Sequence, residues 1–389
     1  MDRANHKPES LTLAAGRPAA SAGAQARPSL RLISTGLRLA EPVVPADAAW
    51  ADAFARLLGW LGIDVEAVEL PRATGLRKVA GWARAAAAGA AAPQFAPWQA
   101  ISPVALQNAG SSELPRADWT VSYLFDHGQG SAARGASIDL ALMSPHPARC
   151  EAEEAGDPPV TRPAILEAMI RAARDEGREH IVIIAAARQR NALARQLLLI
   201  DRALTREGLE LEILAVEQAL PALMVPRPRW DALIVMPELR SIVFTLLAEA
   251  SEVRAPWPML WHDARGPVLV ASEALGEAGA RLSLDAVALV QALALTLQHA
   301  GMNSAARRLH ESSARLRDSG TVTASRGSPA PYVTQVDDAQ FVQLVCAGLP
   351  AGGRAVPQWR ALGDVVSGGT GREDMRLYIV ASGSSSSSS

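Results

Sequence analysis

Three side chains that can carry positive charge, His146, Arg188 and Arg240, each follow an apolar run that predicts a buried strand. Such a set could bind a di- or tricarboxylate, because guanidinium groups pair with carboxylates. His146 could also act as an acid or base, although a histidine between two prolines is more often a structural loop residue. We predict these three residues as a ligand-binding set, with no catalytic residues and no metal ligands assigned.

Other residues with possible chemistry have simpler interpretations. His262 beside Asp263 is too small a group for a metal site and predicts a solvated turn. Cys150 has no base nearby in the sequence and is expected to be an inert thiol. Trp257 and Trp261 are expected to fill the core or an interface.

Composition limits the classes of function. The chain has 389 residues, a formal net charge of -2 and only two cysteines. This charge gives no overall attraction to nucleic acid, and no apolar run is long enough to cross a bilayer. Two cysteines suit a reducing compartment, and with no secretion signal we expect a cytoplasmic protein that binds neither nucleic acid nor membrane. Lys7 and Lys78 are the only lysines.

The elements that must position these residues alternate between strands and helices. A helix is predicted to begin at Pro163 and end at Gly177, and a strand buried on both faces follows at Ile181–Ala187. A second helix is expected to end at Gly208, with further strands behind it. An apolar helix over Asp285–Ala300 is followed by another from Ser304. Alternation of this kind predicts an α/β fold with layered helices and sheet.

Two segments resemble the isocitrate and isopropylmalate dehydrogenase family. WDALIVMPELRSIVFTLL, from Trp230 to Leu247, is similar to the family's FDVIVTDNLFGDILSD segment. The helix pair in Ser283–Gly320 is similar to the family's cofactor helix and its successor. Members of the family oxidatively decarboxylate 2-hydroxy acids with NAD(P) and a divalent metal. The resemblance covers about residues 29–347.

The resemblance implies an isopropylmalate-dehydrogenase-like two-domain fold, with helices packed on mixed sheets around a cleft. We expect a disordered leader over residues 1–28 and a partly disordered tail over 348–389. The first, nucleotide-type domain is expected to be discontinuous, formed by residues 29–125 and 255–347, and the second, dimerisation-type domain to span residues 126–254. The family's architecture also implies a homodimer, or a heteromer with an active paralogue, formed through the helices around Pro163 to Gly208.

The groups that would carry the family's chemistry are missing from the matching positions. Its metal carboxylates come from a GD-x-x-x-D run, and at the matching place this chain has Arg240, Ser241 and Thr245. An arginine there would repel a divalent cation. Its catalytic lysine has no counterpart, because no lysine follows Lys78, and arginine cannot replace a lysine that exchanges protons. No tyrosine stands near Arg149, where the family's tyrosine is expected.

We therefore expect a catalytically degenerate member acting as a binding, regulatory or structural subunit, without a cofactor and with a small carboxylate as a possible ligand. One alternative is an active NAD(P)-dependent dehydrogenase of 2-hydroxy di- or tricarboxylic acids, which would need NAD and Mg²⁺ or Mn²⁺. Another is an enzyme of different chemistry that uses the set His146, Arg188 and Arg240.

Overall fold

A ten-stranded mixed sheet runs through the part of the chain that the structure describes. The structure is a computed structural model, and it describes residues 29–34, 54–69, 94–101, 117–126, 138–152, 158–200, 209–225, 228–275, 285–324, 333–348, 356 and 358–363. The predicted leader over residues 1–28 lies outside the described residues. So does the tail beyond residue 363.

The strands are short, and their bounds are β1 Ser29–Ser34, β2 Asp64–Glu69, β3 Gln94–Ile101, β4 Trp119–Asp126, β5 Ile138–Pro145, β6 Cys150–Glu151, β7 Val160–Thr161, β8 His180–Ala185, β9 Glu210–Ala215, β10 Ala232–Val235, β11 Trp257–Asp263, β12 Gly266–Glu273, β13 Thr321–Thr323 and β14 Thr334–Val336. The order in the large sheet is β2-β1-β3-β12-β11-β4-β5-β10-β8-β9. Strands β4 and β11 are antiparallel to both of their neighbours, and the other pairs in the sheet are parallel. The pairs β6-β7 and β13-β14 are separate.

The helices are α1 at residues 54–61, α2 Pro163–Asp175, α3 Arg190–Leu199, α4 Val216–Leu223, α5 Arg240–Ala250, α6 Ala286–His299, α7 Asn303–Asp318 and α8 Asp338–Ala347. Their ends follow from local chemistry. Pro163 opens α2, where its missing N–H costs nothing. The Asp285 carboxylate accepts a hydrogen bond from Ala288 N and so caps α6. Gly301, with a φ of 77°, lies between α6 and α7 and allows the sharp turn.

Both faces of the sheet are covered by apolar helix faces. Helices α2, α3, α6 and α7 contribute to one core cluster, which includes Ile183 and Ile234 of the central strands. Helices α4 and α5 contribute to the other, which includes Val182 and Val235. The neighbouring residues of one strand thus point into opposite layers, as expected for a strand buried on both faces.

The predicted α/β fold is confirmed, with helices packed on a mixed sheet. Helix α2 and strand β8 lie where the sequence predicts them, except that β8 ends at Ala185 and Ala187 begins a 3-10 turn. The second predicted helix is described as Arg190–Leu199, and residues 201–208, where it was expected to continue, lie outside the described residues. In the large sheet, the six adjacent strands from β2 to β4 belong to the predicted first domain and the four from β5 to β9 belong to the predicted second domain.

Candidate functional site

The carboxyl ends of three adjacent parallel strands, β5, β10 and β8, form one edge of the sheet. We call it the carboxyl edge. Each strand is followed by a one-turn 3-10 helix, and these turns are Pro147–Arg149, Pro237–Leu239 and Ala187–Gln189. His146 precedes the first turn, Arg240 follows the second and Arg188 lies within the third. Ligands of open α/β sheets commonly bind at such an edge. The topology therefore brings all three predicted residues to one edge, but their side chains have different surroundings.

Arg240 turns inward rather than toward a ligand. Its Nε and Nη2 atoms donate to the two carboxylate oxygens of Glu273 at 2.9 and 2.7 Å, and Nη2 also donates to Ser122 Oγ at 2.9 Å. The Ser122 hydroxyl donates to the same carboxylate. Arg240 is 1% exposed and Glu273 is fully buried. This bidentate pairing satisfies both charges inside the protein.

The Arg240–Glu273 pair also joins two distant parts of the sequence. Arg240 begins α5 in the predicted second domain, whereas Glu273 ends β12 and Ser122 lies on β4, both in the predicted first domain. The third partner of Arg240 is the carbonyl of Leu142 on β5, which accepts from Nη1 at 3.4 Å. The guanidinium thus bridges the strands on both sides of the predicted domain boundary.

His146 is 4% exposed and acts as a local cap. Its Nδ1 accepts a hydrogen bond from Ala148 N at 3.1 Å, which stabilises the 3-10 turn after β5. Its backbone N–H donates to Asp118 O at 2.8 Å, and its ring lies edge-on to Trp261 at 6.2 Å between centroids. These contacts give His146 a structural role at the carboxyl edge.

Arg188 is exposed, while its neighbour Gln189 is fully buried. Gln189 Oε1 accepts from Ala186 N at 2.9 Å, and its Nε2 donates to Pro159 O at 2.7 Å and to Glu238 Oε1 at 2.5 Å. Gln189 therefore links the turn after β8 to the turn after β10. Sequence reasoning missed it, because a single glutamine behind a strand gives no signal of its partners.

The carboxylates described at this edge are held by neighbouring groups. Glu238 accepts the bond from Gln189, and Glu151 is paired with Arg162. Within the described residues, no three His, Cys, Asp or Glu side chains are grouped so that they could hold a metal ion. Burial, with the nearby Glu238 and Glu151 carboxylates, raises the pKa of the Cys150 thiol to about 12, which disfavours the reactive thiolate.

Ser241 and Thr245 stand where the family's metal carboxylates are expected, and neither can supply a negative charge. The Thr245 hydroxyl donates to Ser241 O at 2.8 Å, within α5 itself. The residues described here therefore do not fit a divalent cation, which needs several oxygen ligands with compensating negative charge. The stretch from Ala271 to Val287, expected to correspond to the family's cofactor loop, is described only over 271–275 and 285–287.

The prediction of a solvated turn at His262 is wrong. His262 lies on β11, is buried, and stacks on the Trp119 ring with centroids 3.8 Å apart and planes 8° from parallel. Burial, together with repulsion from His299, holds its pKa well below the ordinary value. Trp257 and Trp261 are fully buried, as expected for core residues.

A second buried charge network, also missed from the sequence, lies near the amino ends of the parallel strands. Arg178 donates to the carboxylates of Glu176 at 2.7 Å and Asp139 at 3.1 Å. The Tyr123 hydroxyl donates to Glu176 at 2.5 Å. Arg360, from the C-terminal part of the chain, donates from its backbone N–H to Asp139 at 2.8 Å. This network ties β4, β5, α2 and the segment 358–363 together.

No protein-family model and no curated protein matches the sequence. The fold is similar to that of solved structures. Isocitrate dehydrogenase from Methylococcus capsulatus superposes with a TM-score of 0.56 and 15% identity, over 82% of this chain and 98% of that one. The TT0538 protein from Thermus thermophilus gives a TM-score of 0.54 and 14% identity, over 82% of this chain and 68% of that one.

No helix in the described parts of the chain combines the length and the apolar character that a membrane span requires. At these identities the structural matches establish the fold alone. The chain has an isocitrate-dehydrogenase-like α/β fold.

Proposed function

We propose that this chain is a catalytically degenerate relative of the isocitrate and isopropylmalate dehydrogenases that acts as a binding, regulatory or structural subunit. The observation that carries the proposal is the pairing of Arg240 with Glu273. An arginine occupies a position next to the expected metal carboxylates, and the buried carboxylate of Glu273, at the end of β12, neutralises it. We infer that this ion pair stabilises the fold and does not bind a cation.

The neighbouring positions support the same conclusion. Ser241 and Thr245 are neutral, and the absence of any lysine after Lys78 leaves no amine for proton exchange in the second half of the chain. We therefore propose that the protein acts without NAD(P) or a divalent metal. Arg188, which is exposed at the carboxyl edge, is the residue of the predicted set that could contact a small carboxylate from solvent.

We further propose association with a second copy or with an active paralogue through the helices of the predicted second domain. Leu198 and Leu199, at the end of α3, are 82% and 75% exposed. Adjacent large apolar side chains in contact with water are a recurrent feature of interaction surfaces. Both leucines lie within the stretch from Pro163 to Gly208 that was expected to form the contact.

The function is tested by a hydride-transfer assay with isopropylmalate, isocitrate, malate and tartrate, each with NAD or NADP and with Mg²⁺ or Mn²⁺. We expect no turnover above the background of a heat-inactivated sample. Turnover on any of these substrates would establish the alternative, an active dehydrogenase. The similarity of the fold to isocitrate dehydrogenase makes this the main alternative.

A thermal-shift screen of carboxylates and nucleotides separates binding from catalysis. Stabilisation by a di- or tricarboxylate, lost in Arg188→Gln, would support carboxylate binding at the carboxyl edge. Stabilisation by NAD(P) alone would contradict the proposed lack of a cofactor. Association is tested by sedimentation: Leu198→Glu/Leu199→Glu should dissociate the assembly, whereas Leu344→Glu, an apolar position 40% exposed on α8, should not.

A further inference from the structure

A small cavity lies where helices α6 and α7 meet the end of β4 and the C-terminal segment 358–363. Its walls include Phe125, Gln291, His310, Arg317 and Trp359. Trp359 comes from the C-terminal segment, and its ring stacks on Phe125 with centroids 5.0 Å apart. The cavity is therefore closed on one side by a segment remote in sequence from its other walls.

Three of the residues that line the cavity carry buried polar atoms that lack a hydrogen-bond partner in the described structure. They are Gln291 Oε1, Trp359 Nε1, and Nε and Nη1 of Arg317. Gln291 is 6% exposed and the other two side chains are 1% exposed, so bulk water does not solvate them. Most buried polar atoms in native proteins have a hydrogen-bond partner in the protein or in ordered water, so a cluster of exceptions around one cavity needs an explanation.

The balance of charge favours a neutral ligand. Arg317 is already paired with the Asp126 carboxylate through Nη2, so its positive charge is compensated within the protein. The unpartnered atoms also have both polarities: the indole and guanidinium N–H groups donate, whereas Gln291 Oε1 accepts. Gln291 Nε2 donates to Phe125 O at 3.0 Å, which fixes the orientation of the amide. An anion would be repelled by the amide oxygen, whereas a water molecule can accept and donate at once.

The size of the cavity agrees with one water molecule. Its volume is about 10 Å³, and a water site needs roughly 10–15 Å³ together with two to four polar partners.

We propose that this cavity is a binding site for one ordered internal water. The water accepts from Trp359 Nε1 and from an N–H of Arg317, and it donates to Gln291 Oε1. It thereby ties the C-terminal segment to helices α6 and α7 at a point where these groups have no direct bond. The site is independent of the carboxyl edge and of the proposed function.

The test is an NMR measurement of magnetisation transfer from water to the tryptophan indole protons of the full chain. Nuclear and rotating-frame Overhauser experiments are compared, so that direct transfer is separated from chemical exchange. We expect a direct transfer from a long-lived water to the Trp359 indole proton, which is identified by its loss in Trp359→Phe. The Trp257 indole donates to Val253 O at 3.2 Å and is the matched control, with no such transfer expected. Absence of the transfer at Trp359 would overturn the proposal.

Crystals grown with bromide provide an independent test. A water-sized density peak within hydrogen-bond distance of Trp359 Nε1 and Gln291 Oε1, without anomalous signal, would support the proposal. An anomalous bromide peak at that position would show an anion site instead, and an empty cavity would show that the polar atoms are left unsatisfied. Either result would overturn the water site, and this test decides the question even if Trp359→Phe fails to fold.

Discussion

Arg240 and Glu273 form a bidentate ion pair inside the protein, with N–O distances of 2.9 and 2.7 Å. Arg240 begins helix α5 and Glu273 ends strand β12, and Ser122 on β4 contacts both of them. Removing a charge of this kind from water is costly, and only its partner compensates for the loss. We therefore expect the pair to couple the stability of α5 to that of β12, at a position next to the expected metal ligands.

Breaking this pair from one side should be strongly destabilising. In Arg240→Met the Glu273 carboxylate stays buried without its counter-ion, and we expect the free energy of unfolding to fall by about 3–5 kcal/mol. The double variant Arg240→Met/Glu273→Met removes both charges and should lose clearly less than the single variant. Urea denaturation measures both. A double variant as unstable as the sum of the two single variants would contradict the coupling.

The matched control is an exposed ion pair. Arg254 pairs with Glu249 at 2.6 Å, with side chains 70% and 47% exposed. Solvent screens such a pair, so Arg254→Met should change the free energy of unfolding by about 0–1 kcal/mol.

Stability should fall in mildly acidic solution because of His262. Burial first, and then His299, holds the pKa of His262 well below its ordinary value of 6.5. Between these two pKa values the unfolded chain binds a proton that the folded chain does not. The contribution of neutral His262 to the free energy of unfolding is therefore fully present above about pH 6.5. It is lost as the pH falls, at up to about 1.4 kcal/mol per pH unit.

The measurement is the free energy of unfolding from pH 8 to pH 5 in wild type, His262→Phe and His262→Gln. Each substitution removes the titrating group, although the two differ in size and polarity. In both variants the free energy of unfolding should depend less steeply on pH in the acidic range, and the reduction in slope should be the same. If either variant keeps the wild-type slope, another group causes it.

Cys150 should resist alkylation in the folded protein. With a pKa of about 12, only roughly one thiol in ten thousand is ionised at pH 8, against about a quarter for an ordinary cysteine of pKa 8.5. In a Cys346→Ala background, where Cys150 is the remaining thiol, iodoacetamide should react at least about a thousandfold more slowly than with the urea-unfolded chain. Labelling at a rate near that of the unfolded chain would show an accessible thiol of ordinary pKa and contradict the prediction.

Helices and strands are predicted well from the sequence where one local feature, such as a proline or a long apolar run, marks them. Pro163 and the uninterrupted apolar run after Ile181 mark α2 and β8, because a helix start and a doubly buried strand each have a local signature. Strand β11 was missed: Pro258 interrupts its pattern, and His262 beside Asp263 has the composition of a turn. What buries His262 is stacking on Trp119, a contact made by pairing with another strand.

The partners of the residues at the carboxyl edge could not be predicted from the sequence. The positions of His146, Arg188 and Arg240 behind strands are visible in the sequence, so their common edge follows from the α/β topology. The partner of Arg240 is not visible, since Glu273 is 33 residues away and ordinary in its local context. Long-range pairs of this kind depend on strand order, which the order of the elements along the chain does not determine.

The C-terminal segment 358–363 should contribute strongly to stability, although it lies in a part of the chain where periodicity is lost. Trp359 is 1% exposed and stacks on Phe125, and the neighbouring Arg360 pairs with Asp231 at 2.6 Å. Truncating a buried aromatic side chain leaves a cavity, so Trp359→Ala should lower the free energy of unfolding by about 3–5 kcal/mol.

Trp60, which is half-buried beneath the Arg308 guanidinium at 4.1 Å, provides the comparison. Because water already reaches part of its ring, Trp60→Ala should cost clearly less than Trp359→Ala in the same denaturation experiment. Equal losses, or a negligible loss for Trp359→Ala, would mean that the segment does not hold the packed position in solution.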